Sequence, residues 1–301
     1  MKTVRTPSRV ALGIARTAAS AAVFFVLACG ETAAPATTRD DVGRDVAVPP
    51  RVERVVTLSA NLTEVIFAVG AEGKIVGTDD FSNHPAPARK IPKVGGMQPS
   101  IEKIAALRPD LVLAGTEGNH PNLAPALAAA GIPLFVVRTD RLAQIPGAIR
   151  RVGRMLSAPR TEEAVRELET AVAAQRRARA NAPRVMFAVW PEPLFVAGRE
   201  TFIDDLLGLT GAPNAVAVAG WPQYSLEALM AAPPDLLLYP RGAVTPEQIE
   251  ALLARVPELR AEVFAVNEDV FLRPGPRVVE AARRLNAILD AWERGTRKAE
   301  R

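Results

Sequence analysis

A chain of 301 residues with 37 basic and 33 acidic side chains carries a formal net charge of +4. Lys2, Arg5, Arg9 and Arg16 supply that whole excess near the amino terminus, so the remainder is neutral and shows no basic stripe with interleaved aromatics that would argue for nucleic acid. A single cysteine excludes an intrachain disulfide, so the fold must rest on its apolar core.

Residues 1–28 hold those four bases, no acid, and the apolar run "TAASAAVFFVLA", which is too short to span a bilayer. The stop at Val26-Leu27-Ala28-Cys29 resembles a bacterial lipobox, which implies cleavage before Cys29 and its lipidation; an ordinary secretory signal with a chance cysteine is the alternative. Either way the segment is expected to be a signal peptide that exports the protein. Residues 29–50 lack apolar periodicity and are rich in Ala, Thr, Pro and charge, so they are expected to form a flexible tether.

Residues 51–156 read as an α/β lobe. Strands are expected at Val55–Leu58, "KIVGT", "DLVLA" and "PLFVV". Asn61 with Glu64 has capping-box spacing, Ser100 caps a helix that stops before Pro109, and Gly131 ends the next one. Residues 157–182 carry an apolar stripe through Ala164, Val165, Leu168, Ala171 and Val172, with acids early and arginines late, as suits a helix dipole. Their spacing predicts an unbroken strut of about 30 Å.

Residues 183–301 repeat the plan, with strands at "RVMFAVW", "LFVAG", "DLLLY", "VFAV" and "VFLR", a capped helix at Pro246, and a closing helix in "RVVEAARRLNAILDAWERG". The repeat is literal in places: "PSIEKIAALRPDLVLA" (99–114) and "YSLEALMAAPPDLLLY" (224–239) share seven of sixteen positions, among them Ser100/Ser225, Glu102/Glu227 and Asp110/Asp235. The two segments are therefore read as one strand-feeding helix in each of two related lobes with mainly parallel sheets, joined by the strut. A ligand site belongs between the lobes, beyond the carboxyl ends of the strands.

No phosphate loop, nucleophile elbow or metal-hydrolase signature occurs, and the adjacent Asp204 and Asp205 do not share a helix face. His84 and His120, each before a proline, read as surface residues or as axial ligands for a cobalt or haem iron; no ligand-spaced acids suggest a resident metal. Glu102 and Glu227 sit in helix first turns, where an acid offsets the dipole.

The ordered blocks "TLSANLTEVIFAVGAEGKIVGTDDFSNHP", "KVGGMQPSIEKIAALRPDLVLA", "GWPQYSLEALMAAPPDLLLY" and "DVFLRPGPRVVEAARRLNAI" resemble the periplasmic substrate-binding proteins of the cobalamin/iron-siderophore class of ABC importers, nearest to cobalamin-binding members. The resemblance spans about residues 52–293. It implies a non-enzymatic, monomeric binding protein that hands a corrinoid, or alternatively haem or a ferric siderophore, to a permease dimer. A secreted α/β enzyme remains the reading from another class.

Carried over position by position, the resemblance implies ligand contact by Phe81, Trp190, Trp221, Asp269 and Arg273. It also implies contact by Met97, where an aromatic is common, and it finds no aromatic near Gly115. Large aromatic side chains suit the apolar faces of a macrocycle, and a few polar groups its rim. For Glu102 and Glu227 the resemblance implies docking onto permease arginines.

Overall fold

The computed structural model describes residues 36–116 and 122–299, besides Met1 and Thr3. Cys29, His120 and almost all of the signal segment 1–28 thus lie outside the described residues. The expected tether needs correction. Val46 and Val48 are buried while Asp45 and Ala47 are exposed, and Gly43 turns the chain at φ +84°, so Ala36–Arg39 (β1) and Asp45–Val48 (β2) form an antiparallel hairpin. It is docked, not loose: the Asp41 N–H donates to the Val136 carbonyl at 3.0 Å, and the Arg138 N–H donates to Asp41 Oδ2 at 2.9 Å. Four-residue strands are too short for their alternation to stand out against a polar, Ala- and Thr-rich background.

The first lobe runs β3 (Val55–Thr57), α1 (Ala60–Ala68), β4 (Ile75–Thr78), α2 (Ile101–Ala106), β5 (Leu111–Gly115), α3 (Leu123–Ala129), β6 (Leu134–Val137) and α4 (Ile145–Met155). Its sheet has the order β4-β3-β5-β6 and is parallel throughout, which fits the fully buried apolar runs of β5 and β6.

The connecting helix α5 (Thr161–Ala173) has 13 residues, about 20 Å, and is not the long strut expected over 157–182. Tertiary bonds claim the chain beyond it. Arg177 N–H donates to the Leu209 carbonyl at 3.1 Å, and Asn286 Nδ2 donates to the Gln175 carbonyl at 2.9 Å. Of the arginines expected to complement the helix dipole, Arg177 donates to the carbonyl of the C-cap Ala174 at 3.0 Å, whereas Arg179 reaches Glu293 at 2.9 Å and Asp290 at 2.6 Å.

The second lobe continues with β7 (Val185–Pro191), β8 (Leu194–Val196), α6 (Phe202–Thr210), α7 (Leu226–Ala231), β9 (Leu236–Arg241), α8 (Pro246–Ala254), β10 (Glu262–Asn267), α9 (Glu268–Phe271) and α10 (Val278–Ala299). Its sheet order is β10-β9-β7-β8, parallel except for the β7/β8 pair. Of the expected strand "VFLR", Val270 and Phe271 are helical and the rest is irregular: Asn267 accepts from the Val270 N–H at 3.1 Å and caps α9. At 22 residues α10 is the longest helix among those described, and it packs on α5 and α6.

The repeat is real in three dimensions. Ser100 caps α2 by accepting from the Lys103 N–H, and Ser225 caps α7 by accepting from the Ala228 N–H. Asp110 Oδ2 accepts from the Arg54 N–H at 2.8 Å, and Asp235 Oδ2 accepts from the Arg184 N–H at 2.7 Å, so each repeated aspartate pins the neighbouring strand. Both lobes belong to one compact unit from Ala34 to Arg301. A single apolar cluster crosses from Leu62 and Ile66 in α1 through Ile149 in α4 and Val165 in α5 to Leu206 in α6 and Leu285 in α10.

Candidate functional site

A cavity of about 580 Å³ opens where chain leaves the carboxyl ends of strands in both lobes. Leu58 to Asn61 follow β3, Asp79 and Phe81 follow β4, Gly242 follows β9, and Glu268 to Pro274 follow β10. Parallel strands end their hydrogen-bond ladders on one edge, so loops from both sheets converge there. Phe81 is 49% exposed and Met97 65% exposed on its walls, against a background in which large apolar side chains are buried. Ordered apolar surface kept in water at a cavity mouth is the signature of a ligand-facing wall.

The polar side is built across the lobe boundary. Arg273 pairs with Asp269, and Asn83 joins both: its amide donates to Asp269 Oδ2 at 2.9 Å and its carbonyl oxygen accepts from Arg273 at 2.8 Å. Below this ring lies the seam. Glu64, with a side chain 3% exposed, receives Arg277 at 2.9 and 2.6 Å and lies 3.6 Å from Arg273. Burial alone would lower the Arg277 pKa, but its bonds to Glu64, with the charges of Asp269 and Glu280 nearby, outweigh that and raise it. Asn61 donates to Thr139 at 2.9 Å and to the Pro274 carbonyl at 3.0 Å. The expected Asn61–Glu64 capping box is therefore absent: Ser59 holds the N-cap position of α1, and both side chains turn inward to fasten the lobes.

Asp79 forms part of the floor. It is buried and accepts from Ser82, whose hydroxyl continues through Thr63 at 2.7 Å to Thr57 at 2.6 Å. Burial raises the Asp79 pKa despite Ser82 and the nearby Lys93. Lys93 faces away, donating to Thr78 Oγ1 at 2.8 Å and the Ser82 carbonyl at 2.6 Å.

Phe81, Met97, Asp269 and Arg273 thus line one cavity. Trp190 and Trp221 are outside its lining, although they are 40% and 50% exposed. Trp190 is the last residue but one of β7, at the same sheet edge from which Gly242 enters the cavity, and its strand partner Phe195 bridges to Gln223, two residues beyond Trp221. His84 is exposed in the Phe81 loop. Glu102 and Glu227 are exposed at the starts of α2 and α7, where the helix-end backbone N–H and the capping serine hold each carboxyl below its usual pKa. Among the described residues no group of three His, Cys, Asp or Glu side chains could hold a metal ion. A larger groove of about 900 Å³ lies by α5 and α6, but it offers no aromatic, and Arg141 on its wall is taken by Asp205 at 2.8 Å.

Residues 55–274 match the family described as Periplasmic binding protein. The chain belongs to that family. This binding protein is 32% identical over 242 residues to the Vitamin B12-binding protein of Yersinia pestis (strain Pestoides F), covering 77% of this chain and 85% of that relative. Its fold is similar to the apo periplasmic heme-binding protein RhuT from Roseiflexus sp. RS-1, with TM-score 0.70, 30% identity, and coverage of 78% and 97% of the two chains. It also resembles the periplasmic Vitamin B12 binding protein BtuF of Vibrio cholerae in fold, with TM-score 0.64, 24% identity, and coverage of 80% and 97%. These relatives place the binding protein in the cobalamin/iron-siderophore class.

Two features of the binding protein's site escaped sequence reasoning. Asn83 lies inside "DFSNHP" but bonds to residues 186 and 190 positions away, so no local pattern reports it. Glu64 and Arg277 are likewise 213 positions apart, and the sole local cue was an acid at a position whose helical neighbours Val65 and Ile66 are apolar.

Proposed function

We propose that this periplasmic binding protein captures cobalamin or a related corrinoid and delivers it to the permease dimer of an ABC importer, without catalysing a reaction. The observation that carries this reading is the pairing, in one inter-lobe cavity, of the exposed Phe81 and Met97 with the Asp269–Arg273 rim. A macrocycle face packs on the first two, and its amide-bearing edge meets the second pair. Trp190 and Trp221 would meet a ligand that overhangs the cavity. The names of the vitamin B12-binding relatives support the same choice.

Haem is the second reading, favoured by the likeness to the heme-binding protein of Roseiflexus. In that case His84 or His120 would supply the axial nitrogen. Equilibrium titration of the purified protein with cyanocobalamin, haemin and a ferric siderophore decides between them. Tightest binding of cyanocobalamin is expected; tightest binding of either iron ligand would replace the corrinoid reading.

Delivery has its own residues. Glu102 and Glu227 present one carboxylate per lobe, and two separated charge contacts orient a docked partner more than they tighten it. Changing both to Ala should leave cyanocobalamin binding intact and abolish ligand-dependent uptake in cells. Normal uptake at equal expression would remove the docking role. Lipidation of Cys29 would hold the protein at the membrane surface near its permease; unchanged membrane association of Cys29→Ser would remove that anchor.

A further inference from the structure

The charges of the cavity are unbalanced, and the imbalance bears on which macrocycle it accepts. Its charged lining residues are Asp79, Glu268, Asp269 and Arg273. The cation is committed: Arg273 pairs with Asp269, donates to Asn83 and lies 3.6 Å from the buried Glu64. Lys93 bonds to Thr78, Ser82 and Ala88 behind the floor. Arg241 sits opposite Asn267 in the β9/β10 register, yet it is no part of the lining and makes no ion pair with Glu268. Among the described residues the Glu268 carboxylate has neither a hydrogen bond nor an ion pair.

The space that carboxylate occupies is left open by a glycine. Gly242, at φ +120°, lines the cavity beside it, and a Cβ built there would fall 2.5 Å from the Glu268 carboxyl carbon and 2.7 Å from Oε1. Any other residue at 242 would displace the carboxylate. The side-chain-free position at 242 therefore leaves room for a carboxylate on the wall of a cavity that a second acid, Asp79, also lines.

We propose that Glu268 is a specificity-determining residue, selecting macrocycles whose rim carries amide N–H donors and disfavouring those whose rim carries carboxylates. An amide edge donates to an ionised acceptor in a charge-assisted hydrogen bond. A carboxylate edge brings a like charge beside Glu268 in a cavity where no lining cation is free to receive it, and like charges in close contact repel. Discrimination of this kind comes from the penalty on the wrong ligand as much as from contacts to the right one. The inference rests on the corrinoid reading and names the residue that would enforce it.

The test compares two ligands across three forms of the protein. Wild type, Glu268→Gln and Gly242→Ala are titrated with cyanocobalamin, which has an amide rim, and haemin, which has a carboxylate rim. Gln keeps an acceptor and loses the charge, while Ala at 242 pushes the carboxylate away.

Wild type is expected to prefer cyanocobalamin by at least about tenfold. In Glu268→Gln that preference should shrink about tenfold, through tighter haemin binding together with a two- to fivefold loss for cyanocobalamin. Gly242→Ala should move the ratio the same way. A merely structural role would weaken both ligands together and leave the ratio alone. If wild type prefers cyanocobalamin and neither variant changes the ratio, this inference fails and the corrinoid reading stands. If wild type prefers haemin, or binds neither ligand, the reading fails and takes the inference with it.

Discussion

The seam and the cleft lie side by side and are finished in opposite ways. At the seam Glu64 is buried, doubly bonded to Arg277, and set in a helix whose Leu62, Val65 and Ile66 belong to the apolar cluster that joins the lobes. In the cleft Phe81 and Met97 stay in water and Glu268 has no partner among the described residues. Folding alone does not call for large apolar side chains left in water a few residues from a fully paired network. The difference separates what holds the lobes together from what waits for a ligand. It also implies that the lobes change their relation little on binding, because the groups that fasten them are already paired.

The largest effect should come from breaking the seam. Glu64→Ala leaves Arg277 buried without its carboxylate and is expected to cost about 3–5 kcal/mol of stability. Urea denaturation checks this, and a loss below ~1 kcal/mol would erase the contrast between the two regions. Phe81→Ala should do the reverse, weakening cyanocobalamin binding by about 1–3 kcal/mol with little change in the denaturation midpoint. Trp221→Ala sharpens the boundary of the site. A comparable loss of affinity would extend the ligand beyond the cavity lining, and no loss would confine it to the cavity.

Asn83→Ala probes the place where the regions touch. Without the amide that orients Asp269 and Arg273, binding should weaken by about 1 kcal/mol. The same change in an Arg273→Ala background should cost almost nothing, and full additivity in that double-mutant cycle would deny the link.

The smallest effect concerns Asp79. Its pKa is raised in the folded protein by burial, so the folded state binds more protons than the unfolded one between the ordinary carboxyl pKa of about 3.9 and the raised value. Stability from this group is present below that window and lost as pH rises through it. Asp79→Asn should therefore melt a few degrees above wild type at pH 7, with the gap closing toward pH ~4. A gap that is constant with pH would contradict the assignment.

What the sequence made legible was periodic or repeated. The paired helices behind Ser100 and Ser225 and the aspartates that follow them were visible because identical local chemistry recurs at an offset of 125 residues. Four of the six residues for which the family resemblance implied ligand contact line the cavity. What stayed hidden depended on distant partners. The connecting helix stops at Ala173 because α6 and α10 capture the chain beyond it, and Asn61 and Glu64 have capping spacing but serve the seam. Tertiary bonds of this kind override local pattern without leaving a trace in it.

A crystal structure of the protein grown with cyanocobalamin tests the account most directly. The corrin should lie against Phe81 and Met97 with its amide edge at Glu268, Asp269 and Arg273, while the Glu64–Arg277 pair keeps its 2.6 Å contact. A ligand seated elsewhere, or a seam pulled apart on binding, would contradict it.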